Sequence, residues 1–138
     1  MDQATNSIVT TISTQDTCGY VAFGGGAVWV TNGGHEGLAD GMLTRIDPAT
    51  NGVTASVTVG SWPMRLAYAG GSVWIGLVDA PTVVRVSATT NAVLNRVTVD
   101  DPVYSIAATE HAVWAVHNLP SADATTLPPP GVVTRIAY

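Results

Sequence analysis

Three tryptophans in matching surroundings constrain this chain more than any other feature. They stand in Ala27-Val28-Trp29-Val30, Ser72-Val73-Trp74-Ile75 and Ala112-Val113-Trp114-Ala115. Asn6, Asn51 and Asn91 each precede one of them by 23 residues. A third landmark follows each tryptophan: Thr44-Arg45-Ile46, Val84-Arg85-Val86 and Thr134-Arg135-Ile136. The step from Trp to Arg is 16, 11 and 21 residues, whereas Arg45 to Asn51 and Arg85 to Asn91 are both 6. A unit of about 40 to 50 residues therefore recurs, with every change of length confined to one place.

Within each unit the pattern is β. Val53, Ala55, Val57 and Val59 alternate with Thr54, Ser56 and Thr58, and the stretch from Val93 to Val99 does the same. Val, Ile and Thr dominate these segments, and branched side chains suit a pleated surface. No segment carries apolar residues at helical spacing, so no helix is expected. Gly24-Gly25-Gly26 and Gly70-Gly71 suit tight hairpins that need positive φ. In Asp47-Pro48-Ala49-Thr50-Asn51-Gly52, proline presets φ and Asn-Gly tolerates left-handed backbone. Each unit then reads as four strands, A to D. Such antiparallel units, repeating at this period, predict an all-β protein of β-propeller type. A β-sandwich is the alternative, but it gives no reason for a tryptophan in register three times.

The units are circularly shifted. A strand of D type is expected over 6–13. A complete blade follows over 18–59, a second over 63–99, and strands A to C of a third over 103–138. Three four-stranded blades cannot close a ring, because propellers use roughly four to eight. Two copies related by a two-fold axis can. The last strand of one chain would take the first strand of the other, giving a six-bladed homodimer with strand exchange at the termini. A bare blade face on the order of 500 Å2 is worth roughly 12 kcal/mol when covered. A fragment of a longer propeller is the competing reading.

Composition excludes several functions. Only 11% of the 138 residues are charged, the net charge is −5, and all five basic residues are arginine. With no lysine and no basic cluster, neither nucleic acid nor an anionic membrane surface is an expected partner. A single cysteine, Cys18, rules out a disulfide within the chain and a thiolate zinc cluster. Met1-Asp2-Gln3 does not resemble the start of a signal peptide, so the cytoplasm is the default expectation.

The segments GGAVWVTNGG, LTRIDPATNGVTASVTVG and GGSVWIGL resemble the bacterial propeller repeats known as YVTN-type, and especially those called streptogramin (virginiamycin B) lyase-like. That resemblance covers nearly the whole chain. It implies a propeller and, in the lyase itself, a seven-bladed magnesium-dependent enzyme. That enzyme opens a cyclic depsipeptide by elimination, using a histidine and acidic residues on one face. Three blades per chain is a departure from that pattern.

In a propeller the B–C and D–A loops share one face, and the B–C loops carry all the length variation here. The candidate ligand-binding residues on that face are Tyr20, His35, Glu36, Trp62, Arg65, Tyr104 and His117. His35 and Glu36, with Asp40, bring imidazole and carboxylates into one glycine-rich loop, a set able to bind a divalent cation or move a proton. Trp62 breaks the repeat and precedes Pro63. Tyr20, Arg65 and Ser105 fall at equivalent sites near the axis. The repeated tryptophans read as core, and Arg45, Arg85 and Arg135 as structural links between strands C and D. No nucleophile–base pair and no established metal spacing occurs. The expected function is therefore a binding or interaction module for a small molecule or peptide, with itself as partner and without a cofactor. A metal-assisted lyase or hydrolase, with a divalent cation such as magnesium, and a purely structural protein are the alternatives.

Overall fold

The computed structural model describes residues 7–14, 17–33, 40–118 and 131–138, and contains no helix among them. The proposed roles of His35, Glu36, the side chain of Cys18 and the triple proline at 128–130 lie outside the described residues. No helix long and apolar enough to cross a membrane is present among the described residues.

Eleven strands form three antiparallel sheets. Sheet I is β1 (Cys18–Gly24), β2 (Ala27–Asn32), β3 (Gly41–Asp47) and β4 (Gly52–Gly60), in that order. Sheet II repeats the plan with β5 (Pro63–Ala69), β6 (Ser72–Leu77), β7 (Thr82–Ser87) and β8 (Val93–Thr98). Sheet III has β9 (Ser105–Ala108), β10 (Ala112–Asn118) and β11 (Gly131–Ala137), with β10 in the middle. Residues 7–14 form no strand within the single chain. An outer strand needs a third strand to pair with, and none of sheets I and II has a free one. Among the described residues the outer edge of β11 is unpaired.

Turn chemistry accounts for the hairpins. Gly25 and Gly26 have φ of 61° and 71°, and Gly70 and Gly71 have 55° and 69°, as a two-residue turn of matching twist requires. Asn51 and Asn91 take the left-handed position at φ 57° and 56° before the fourth strand.

The core lies between the sheets. Trp29, Leu43, Val57 and Val59 of sheet I pack on Val73, Ile75, Leu77, Val84 and Val86 of sheet II. Trp74, Val83 and Val99 pack in turn on Val113 and Ala115 of sheet III. Both joints have one orientation: the tryptophan-bearing face of one sheet meets the opposite face of the next. One face at each end of the row is left over. On sheet III, Trp114, Val116 and Val133 are exposed, and on sheet I so are Val21, Phe23 and Val53.

Each repeated arginine sits opposite its tryptophan across strands B and C, in the pairs Trp29–Arg45, Trp74–Arg85 and Trp114–Arg135. The guanidinium carbon stands 5.5, 5.0 and 5.6 Å from the ring centre in the three sheets. This replaces the expected link between strands C and D. Arginine caps the indole face, where the cation meets the negative face of the ring. Arg85 also donates to Ser72 Oγ at 2.9 Å, whereas Arg45 Nε is buried with no partner among the described residues, since Ala27 stands where Ser72 does.

Candidate functional site

The innermost strands β1, β5 and β9 lie side by side, and their loops define the candidate face. Two contacts show that the D–A and B–C loops meet there in sheet II. Ser61 Oγ donates to Asp79 Oδ2 at 2.7 Å, and the Val78 amide donates to Trp62 O at 3.2 Å.

Of the residues singled out from the sequence, Tyr20 and Arg65 are brought together. The Arg65 guanidinium carbon lies 3.8 Å from the centre of the Tyr20 ring. Tyr20 is on β1 and Arg65 on β5, so the pair spans two sheets. The other four arginines are already engaged: three over tryptophans, and Arg96 donating to Val59 O at 2.7 Å. Arg65 is exposed, and its stacked guanidinium keeps its donors directed away from the ring.

Trp62 begins the run into β5, half-buried, with φ at 45°. A bulky residue in left-handed backbone is strained, and such strain concentrates at functional positions. Tyr104 is half exposed just before β9 and donates its amide to Val116 O at 2.9 Å. His117, near the end of β10, is fully buried. Its Nε2 is 2.9 Å from Thr134 Oγ1, and its Nδ1 is 3.9 Å from Asp101 Oδ2 with no hydrogen bond. The histidine therefore faces the joint between sheets II and III in the single chain, not open solvent. Among the described residues no group of three His, Cys, Asp or Glu gathers to hold a metal ion.

Thr31 is a site residue that sequence reasoning passed over. Fully buried on β2, it receives the Tyr20 amide at 3.0 Å and donates to Met64 O at 2.9 Å. It thereby fixes β1 against β5 beside the Tyr20–Arg65 pair. Its only sequence signal is a hydroxyl two residues after the repeated tryptophan.

No family model matches the chain, and no curated protein matches it. Solved structures do. The beta-propeller domain of Cps50 (Swd1) from Myceliophteria thermophila matches with a TM-score of 0.65 at 18% identity, over 94% of this chain and 41% of that one. Hydrazine synthase from Kuenenia stuttgartiensis matches with a TM-score of 0.58 at 18% identity, over 68% of this chain and 26% of that one. The chain thus spans less than half the length of either, and the likeness shows the fold, which is that of a β-propeller.

Proposed function

We propose that the chain is a β-propeller binding or interaction module of three blades. Its working form is a six-bladed ring of two copies. One observation carries this reading. The two faces left exposed are one tryptophan-bearing face and one receiving face, the same two kinds that are buried against each other at both internal joints. Trp114 and Val133 of one copy would meet Phe23 and Val53 of the other, and a two-fold axis would repeat the joint. Exposed apolar faces of this kind mark interaction surfaces.

The ligand is a small molecule or peptide held where the B–C and D–A loops approach the axis, with Tyr20, Arg65, Trp62 and Tyr104 as contacts. The strained Trp62 and the stacked Arg65 support that placement. The lyase reading draws on His35, Glu36 or His117 with a divalent cation; His35 and Glu36 lie outside the described residues, and His117 is fully buried.

Sedimentation velocity at micromolar concentration tests the ring. A species of twice the 14.2 kDa chain mass is expected, and a folded monomer across the whole range refutes it. A mixed small-molecule and peptide library, read by thermal shift, tests the site. Hits lost in both Trp62→Ala and Arg65→Gln are expected, and hits that survive both place the ligand elsewhere.

A further inference from the structure

We infer that residues 7–13 are an outer strand donated to sheet III of a second copy, where they pair with β11. The inference rests on the two-copy ring proposed above and supplies the hydrogen bonds that face packing alone leaves out.

Three observations converge. First, β11 presents an edge that is unpaired among the described residues, and such an edge accepts another strand readily. Second, the end of the segment, residues 13–14, already stands where the end of an outer strand stands in the repeat. In sheet II the end of β4 lies against Leu77 and Arg96: Val59 packs with Leu77, and Val59 O receives Arg96 at 2.7 Å. Counting from the repeated asparagines, Thr14 corresponds to Val59, Asn32 to Leu77 and Ser56 to Arg96. The same neighbours recur one sheet earlier. Asn32 Nδ2 donates to Thr14 Oγ1 at 2.9 Å, and Ser13, Thr14 and Ser56 line one cavity of about 270 Å3. Residues 13–14 thus stand against sheet I as the end of β4 stands against sheet II, while belonging to none of the three sheets. Third, the segment is apolar for a surface ribbon: Ile8 and Val9 are 81% and 66% exposed.

The repeat also dictates the register. Arg45 pairs with Ala55 and Arg85 with Asn95, then a bulge intervenes, and Ile46 pairs with Val53 and Val86 with Val93. The equivalent pairs are Arg135 with Thr10 and Ile136 with Ile8 across the two copies. Further along, Met42 pairs with Thr58, and their side chains touch at 3.4 Å. Val132 with Ser13 is the equivalent pair. A ring closed this way leaves no open edge at the joint, with main-chain bonds setting the match between copies.

Two measurements on the full chain test this. In hydrogen exchange, a dimer whose amides in 7–13 are slowed at least tenfold relative to unstructured peptide supports the donated strand. A dimer in which they exchange at the unstructured rate overturns the donated strand and leaves the ring standing. A monomer overturns the ring reading itself. In a Cys18→Ser background, Ser13→Cys with Val132→Cys should give a disulfide-linked dimer on non-reducing gels. Ser13→Cys with Val133→Cys, one residue off register, should give much less. Equal yields from the two, or cross-links within one chain, refute the register.

Discussion

Trp29, Trp74 and Trp114 occupy equivalent positions in three sheets, yet their exposures are 0%, 1% and 40%. Truncating a buried tryptophan to alanine costs about 3–5 kcal/mol, and Trp74→Ala is expected to cost that much. In a lone chain Trp114 keeps roughly three-fifths of that burial, so Trp114→Ala would cost about 2–3 kcal/mol, independent of protein concentration. In the ring the second copy covers the rest of the indole, and the joint occurs twice. An extra loss of about 1–2 kcal/mol per joint then falls on association, weakening the dimer by roughly 30- to 700-fold. The assay is urea denaturation of wild type, Trp74→Ala and Trp114→Ala over a roughly hundredfold range of concentration, with the dimer constant measured by sedimentation equilibrium. Wild-type midpoints should rise with concentration, and Trp114→Ala should lose that rise while the chain still folds. Wild-type midpoints that do not move with concentration, together with a Trp114→Ala cost under about 3 kcal/mol, would refute the reasoning.

Three further outcomes follow from individual contacts. Ala27→Ser should supply Arg45 Nε with the acceptor that Ser72 gives Arg85, raising stability by about 1 kcal/mol, and Ser72→Ala should lower it by a similar amount. Equal midpoints for Ala27→Ser and wild type would contradict that account. A Cβ on Gly24 would lie 2.0 Å from Tyr68 Cγ, so Gly24→Ala should cost about 1–3 kcal/mol, and Tyr68→Ala should relieve part of it in a double-mutant cycle. A Cβ on Gly26 meets nothing within 4 Å, so Gly26→Ala pays only for its φ of 71° and should show no coupling to Tyr68. Asp47 accepts from the Ala49 amide at 2.9 Å and from the Thr50 hydroxyl at 3.0 Å, which holds its carboxyl below the ordinary 3.8. Its contribution is complete above the unfolded value near 3.8 and disappears as pH falls through the lower folded value. A carboxyl titration by NMR with a midpoint at or above 3.8 would contradict the assignment.

Much of the fold was legible because the repeat is local. Alternation of Val and Thr within β4, the paired glycines of the hairpins and the left-handed turns at Asn51 and Asn91 each act over a few residues. Local sterics alone therefore dictate the all-β character. The role of Arg45, Arg85 and Arg135 was misread as a link between strands C and D, since a recurring arginine does not reveal which strand it faces. Cross-strand register placed each over the tryptophan of strand B. The site was partly legible in the same way. Counting from the asparagines put Tyr20 and Arg65 near one axis, but their stacking needed two sheets set side by side. His117 was expected at a strand end on the candidate face, and it lies fully buried beside Thr134 and Asp101.

The amino-acid sequence alone decided the period, the strand type and the turns. These depend on neighbours a few residues apart. Only the tertiary structure decided which faces are covered, because burial is a property of contacts between sheets far apart in the chain. Trp29 and Trp114 sit in near-identical local sequence, and their exposures differ because one has a sheet in front of it and the other has none within the chain.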